Sequence, residues 1–154
     1  MQIICAQSRE HLDLARQVLT EYAQSLSFHV CFEDFQKELA GLPGDYGPPA
    51  GRLLLALSDD QAAGSVALRE IAEGIGELKR LYVRPAFRGR NLGRALTEAI
   101  LAEARQIGYR VVRLDTLQQM KAARALYQSL GFQVIPPYYD DPDEDVICME
   151  LKLQ

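Results

Sequence analysis

Residues Glu77 to Ile100 read ELKRLYVRPAFRGRNLGRALTEAI, and this stretch constrains the fold more than any other. An apolar, β-prone run, Glu77 to Val83, stops just ahead of Pro85. Proline lacks the N–H that a central strand donates, so the ladder cannot continue there. Leu92, Ala95, Leu96, Ala99, Ile100, Ala104 and Ile107 then recur on one helical face, and Gly108 is a plausible stop. Arg110 to Asp115 reads as another strand. A strand, a crossover helix and a second strand make a β-α-β unit, which places a parallel pair inside the sheet.

Between strand and helix lie Arg88, Gly89, Arg90, Asn91, Leu92, Gly93 and Arg94. This loop suits an anion. The first N–H groups of a helix have no intrahelical partners, and the helix dipole adds partial positive charge there. Glycine lets a bulky phosphate approach the backbone. A pyrophosphate fits on the N–H groups of Arg88 to Arg94 with guanidinium groups around it. Read without further context, the same residues also describe a capped helix with a solvated basic turn. The loop matches neither GxxxxGK[ST] nor GxGxxG, which argues against nucleotide hydrolysis and dinucleotide binding.

The remaining chain completes the element order. Ile3 to Ala6 reads as a first strand, and Ser8 as the cap of a helix carrying Leu12, Ala15, Leu19, Tyr22, Ala23 and Leu26. A short helix is expected over Glu33 to Ala40, with Phe32, Phe35 and Leu39 on its apolar side. GLPGDYGPPAG, from Gly41 to Gly51, is too rich in Gly and Pro for regular structure. Leu53 to Leu57 and Ala62 to Arg69 form a hairpin, and Glu73 to Gly76 reads as loop. Met120, Ala123, Tyr127 and Leu130 mark a last helix, followed by strands at Phe132 to Ile135 and Val146 to Leu153. The fold class is therefore α/β (α+β), with a mixed sheet and helices on both faces.

The chain has 154 residues, as expected of one domain over 1–154. A formal net charge of -4 argues against a general nucleic-acid binder. Yet Lys79, Arg80, Arg84, Arg88, Arg90 and Arg94 crowd one segment, as a site for a small anionic ligand would. Cys5, Cys31 and Cys148 are odd in number and widely spaced, forming neither a disulfide framework nor a metal motif. His11 and His29 have no partners at ligand spacing, so no metal is expected. No signal peptide and no membrane-length apolar run is visible, so a cytoplasmic protein is expected.

ELKRLYVRPAFRGRNLGRALTEAILAEARQIGYRVVRLDT, followed by ARALYQSLGFQ, resembles the GNAT family of N-acetyltransferases. In that family a Gln/Arg-x-x-Gly-x-Gly/Ala loop after the fourth strand holds acyl-CoA. Arg88 matches its first position and Gly93 its last, while Asn91 replaces the middle glycine. Asn tolerates left-handed backbone and caps helices, so the loop can keep its shape. The second motif is the helix ending LYQSLGF, Leu126 to Phe132. The resemblance covers the second half of the chain. It implies a GNAT fold: a mixed, mostly antiparallel seven-stranded sheet flanked by about four helices.

It also implies transfer of an acetyl group from acetyl-CoA straight to a primary amine of a small molecule or peptide, in a ternary complex. Leu81, Tyr82 and Val83 would pair with the pantetheine arm, and Arg88 to Arg94 would take the pyrophosphate. Imperfect alternation around Lys79-Arg80-Leu81 fits the bulge of that family strand. The Val83 N–H is the candidate oxyanion donor. Tyr127 stands in the general-acid position, although its place on an apolar stripe also suits simple packing. Glu77 is either the base or a strand-end carboxylate paired with Lys79 or Arg110. Met120 stands where relatives carry an asparagine, leaving that contact to Gln118 or Gln119. Lys121 and Arg124 either reach the CoA phosphates or form a solvated helix face. The loop at 41–51, the Phe28 to Phe35 region and Tyr138-Tyr139 are the expected acceptor rim, with Asp140 to Asp145 available to attract an amine. The alternative is a non-catalytic acyl-CoA-binding or regulatory module on the same fold. Either a monomer or a homodimer fits, and nucleic acid and membrane are not expected partners.

Overall fold

The computed structural model describes residues 1–26 and 32–153, with side chains from 34 onward in the second segment. Seven strands form one sheet: β1 (Gln2–Cys5), β2 (Arg52–Ser58), β3 (Gln61–Ala72), β4 (Ile75–Val83), β5 (Val111–Leu117), β6 (Gln133–Ile135) and β7 (Val146–Lys152). Their order is β1-β2-β3-β4-β5-β7-β6. Only the β4–β5 pair is parallel. The helices are α1 (Arg9–Ser25), α2 (Phe32–Ala40), α3 (Leu92–Ile107) and α4 (Lys121–Ser129).

Local chemistry sets several boundaries. Ser8 accepts the His11 N–H at 3.1 Å and starts α1. Gly108, at φ 106°, closes α3 in the left-handed region. Alternation along β2 and β3 sorts the core into two layers. Leu54, Val66, Leu68 and Leu78 face α3 and α4, where they meet Leu96, Ile100 and Tyr127. Leu53, Leu55 and Ala67 face α1 and α2, against Leu19, Phe35 and Leu39. Each fully buried leucine contributes about 1.5–3 kcal/mol, so these stripes fix which face each helix covers.

Two expectations need correction. β4 begins at Ile75, so Ile75 and Gly76 are strand and the turn is only Glu73-Gly74. Gly76 resembles a loop residue in sequence but serves close packing. A Cβ there would lie 2.9 Å from Leu68 Cδ1 and 3.2 Å from the Tyr109 ring. The 41–51 segment is also not wholly a surface loop. Its Tyr46 is 3% exposed and joins the α1–α2 core layer.

The sheet opens at its middle. β4 and β5 pair only from Ile75–Val111 to Glu77–Arg113. Beyond Glu77, β4 bulges: Ser65 faces Tyr82 and Ala67 faces Lys79, so two steps on β3 span three on β4. Arg80 takes up the extra residue at φ 61°, and Ser65 Oγ donates to the Arg80 carbonyl at 2.9 Å. Meanwhile β5 stays paired with β7 as far as Leu117–Val146. A wedge therefore opens between the C-terminal halves of β4 and β5, as the broken alternation around Arg80 anticipates.

Candidate active site

The wedge exposes one backbone edge. The Arg84 N–H donates to the Ala63 carbonyl at 2.9 Å, toward β3. Strand alternation then turns the N–H groups of Val83 and Leu81 the other way, into the wedge. A cavity of about 70 Å³ fills its throat, bordered by Leu81, Asp115, Thr116, Met120 and Tyr127. Tyr127 is 6% exposed, with its ring 5.6 Å from that of Phe132. Burial pushes its phenol well above the ordinary value, reinforced by Tyr22 and Asp115. A buried phenol facing the wedge is held in its protonated form at neutral pH.

At the open end of β4 lies the basic loop. Asn91 stands at φ 58°, ψ 25°, so it adopts the left-handed backbone expected of a glycine substitute. Its side chain does not cap the helix, contrary to the capping expectation, because the left-handed backbone itself makes the entry turn. The first backbone bond of α3 runs from Ala95 N–H to Asn91 O at 3.1 Å. The N–H groups of Leu92, Gly93 and Arg94 are thus left for another acceptor. Arg88, Arg90 and Arg94 are all exposed. Arg88 donates from Nε to the Val83 carbonyl at 3.0 Å and stacks over Tyr82, and Arg94 donates to Ser129 Oγ. Leu81, Tyr82 and Val83, with the loop from Arg88 to Arg94, therefore form one continuous margin from wedge to helix N-terminus.

On the α1–α2 side of the sheet, two larger cavities adjoin the wedge, of about 360 and 490 Å³. Lys79 on β4 and Asp115 on β5 border all three. Asp115 accepts the Tyr139 hydroxyl at 2.7 Å. Glu77, 3% exposed, borders only the largest. It holds Arg69 Nε at 2.9 Å and Lys79 Nζ at 3.7 Å through Oε1, and takes the Tyr138 hydroxyl on Oε2 at 2.5 Å. Burial first, and the bond to Glu77 second, push the Tyr138 phenol far up. The Lys79 partner is as expected, whereas Arg110 instead donates to the Glu73 carbonyl at 3.3 Å.

Arg80 is pinned beneath the bulge. Its Nε and Nη2 each meet Glu38 at 2.8 Å, and its guanidinium lies 5.2 Å from the Phe35 ring centroid and 5.9 Å from that of Tyr22. Burial opposes ionisation of Glu38, but the Arg80 hydrogen bonds and charge outweigh it and hold the carboxyl below its usual range.

The structure thus gathers Tyr127, Leu81, Val83 and the loop around one wedge, and sets Glu77 on the sheet face beside it. Tyr138 and Tyr139 line the 490 Å³ cavity, and Asp141 and Asp143 border the 360 Å³ cavity. Met120 borders the wedge, while Gln119 is committed to Asp145 at 3.1 Å. Arg124, half-buried, reaches back to the Gln118 carbonyl at 2.7 Å. Phe28, His29 and Cys31 lie outside the described residues. Sequence reasoning missed Asp115, Glu38 and the Glu77–Tyr138 bond. The strand alternation Arg113, Asp115 opposite Glu77, Lys79 was the available signal for Asp115. Among the described residues, no group of His, Cys, Asp and Glu is placed to hold a metal, and no helix is long and apolar enough to cross a membrane.

Comparison with known proteins gives a consistent answer. The profile of the acetyltransferase (GNAT) family matches residues 13–132. An uncharacterized N-acetyltransferase of Schizosaccharomyces pombe is 37% identical over 146 residues, 94% of this chain and 90% of that protein. The crystal structure of an acetyltransferase from Streptococcus agalactiae superposes with a TM-score of 0.82 at 25% identity, covering 99% of this chain and 98% of that one. The PaiA N-acetyltransferase of Thermoplasma acidophilum, solved with coenzyme A, shares the fold with a TM-score of 0.75 at 22% identity, covering 99% of this chain and 100% of that one.

Proposed function

We propose that this chain, which belongs to the acetyltransferase (GNAT) family and is an acetyl-CoA-dependent acyltransferase, moves the acetyl group to a primary amine by direct attack in a ternary complex. The observation that carries the reading is the wedge: an unpaired β4 edge, a buried phenol and an open helix N-terminus lie along one margin. The Leu81–Val83 edge offers hydrogen bonds to the pantetheine arm as a neighbouring strand would. The first-turn N–H groups of α3 and the arginines Arg88, Arg90 and Arg94 receive the pyrophosphate.

The residues then divide the reaction. The neutral amine attacks the thioester carbon, forming the C–N bond. The Val83 N–H meets the oxygen as it gains charge. When the C–S bond breaks, the sulfur keeps the electron pair and Tyr127 supplies its proton. The amine's proton passes to a carboxylate. We assign that base to Asp115, which shares a cavity with Tyr127, and a positioning role to Glu77, which shares none with it.

Calorimetry with acetyl-CoA and a thiol-release assay over an amine library test the scheme. Arg88→Ala should weaken acetyl-CoA binding by about tenfold, as loss of a charge-assisted phosphate contact does. Tyr127→Phe should still bind acetyl-CoA while releasing thiol about 10²-fold more slowly. Unchanged thiol release by Tyr127→Phe removes the phenol from the mechanism.

A further inference from the structure

We propose that the acceptor is an amine that also carries a carboxylate, and that Arg69 and Arg113 receive that carboxylate. The inference rests on the acyl-transfer reading and names its substrate class.

The pairing register puts Arg69 beside Glu77, Glu77 beside Arg113 and Arg113 beside Glu150 on four adjacent strands. Charges alternate along this row, so part of its role is to hold the sheet together. Salt bridges alone do not account for its geometry. Arg69 meets Glu77 only through Nε, at 2.9 Å, and Arg113 meets Glu150 only through Nε, at 3.0 Å. Among the described residues the terminal nitrogens of both guanidinium groups make no hydrogen bond. Glu77, by contrast, has both oxygens engaged. Glu77 has therefore spent both its acceptors, while the two arginines keep their terminal donors.

Those donors border the 490 Å³ cavity, where Arg69, Lys79 and Arg113 outnumber Glu77 and Asp115. The Arg113 guanidinium carbon lies over the Tyr138 ring, 5.6 Å from its centroid, a contact that restricts where the fork can sit. A planar pair of N–H donors matches a carboxylate, and Nε anchoring orients the fork before the ligand arrives. The adjoining 360 Å³ cavity has the opposite balance: five carboxylates line it against Lys79 and Arg80. Asp115 stands where the two meet. An amino carboxylate aligns with this gradient, its ammonium toward Asp115 and its carboxylate toward the guanidinium pair. A simple amine or a diamine leaves the donors unmatched.

The test is thiol release from acetyl-CoA with amino acids paired against their decarboxylated counterparts: β-alanine and ethylamine, γ-aminobutyrate and propylamine, phenylalanine and phenethylamine. At least one carboxylate should exceed its partner in kcat/KM by about tenfold or more, since a site built for a polar group rejects the analogue lacking it. Arg113→Gln should shrink that preference to about twofold with acetyl-CoA affinity by calorimetry unchanged. Arg113→Lys, which keeps the charge beside Glu150 but loses the fork, should fall between, and thermal melts of both variants exclude unfolding. Thiol release with no carboxylate preference overturns the inference and leaves acyl transfer standing. Should no amine release thiol, acyl transfer falls instead. The inference is then decided by calorimetry of N-acetyl-β-alanine, N-acetyl-γ-aminobutyrate and N-acetylphenylalanine with CoA present. Binding of any of them that Arg113→Gln abolishes supports it, and no binding overturns it.

Discussion

Replacing Glu38 by glutamine tests what holds the wedge open. Arg80 occupies the bulge with left-handed backbone, and its guanidinium is held by two 2.8 Å bonds to the Glu38 carboxylate. The amide keeps one acceptor but loses the charge and turns an N–H₂ toward the guanidinium. One charge-assisted hydrogen bond, worth about 1.5–3 kcal/mol, is lost. A fully buried arginine stripped of its partner costs about 3–5 kcal/mol. Here the side chains of Arg80 and Glu38 keep 17% and 24% of their exposure, so water relieves part of that penalty. We expect about 2–3 kcal/mol, or a melting temperature about 5–10 °C lower for a chain of this size. The difference should depend on pH in a defined direction. The Glu38 carboxyl is lowered in the folded state, so its stabilisation is fully present above its unfolded value, about 4.3, and is lost as pH falls through the folded value. Melts by circular dichroism from pH 7 to pH 3 should therefore show the two proteins converge in acid. A neutral-pH shift under 1 °C, or a gap that persists in acid, refutes the account of Arg80 as an ion-paired bulge.

Two further predictions concern the chemistry and the wedge wall. Asp115→Asn should lower kcat by about 10²-fold, whereas Glu77→Gln should alter KM and thermal stability more than kcat. The reverse pattern returns the base role to Glu77. Gly64→Ala should cost about 1–3 kcal/mol in a thermal melt and weaken acetyl-CoA binding, because its Cβ would stand 2.6 Å from the Tyr82 carbonyl and press on the β4 edge. Wild-type stability and affinity in that variant would mean that the edge yields freely.

Much of this protein was legible in its sequence because the relevant signals are local. Helical spacing from Leu92 to Ile107 settled α3, and Pro85 ended β4. The uneven alternation at Lys79-Arg80-Leu81 foretold the bulge, and Asn91 the left-handed turn. LYQSLGF placed Tyr127 on a helix, where the structure buries it in the wedge. Each depends on residues within a few positions of one another.

What tertiary structure decided depends on partners far apart in the chain. Glu77 showed in the sequence only Lys79 or Arg110 as partners, and the fold brought Arg69 and Tyr138 to it as well as Lys79. Arg80 looked like one more cation of a basic segment until Glu38, 42 positions away, took it out of play. Asp115 carried no motif, and only the parting of β4 and β5 brought it into contact with all three cavities. Tyr46 was hidden among glycines and prolines, though it packs in the core. Sequence records which backbone shapes and faces a segment prefers. The partner of a charge depends on strand register across the sheet, and register is set only when every apolar stripe has found its layer.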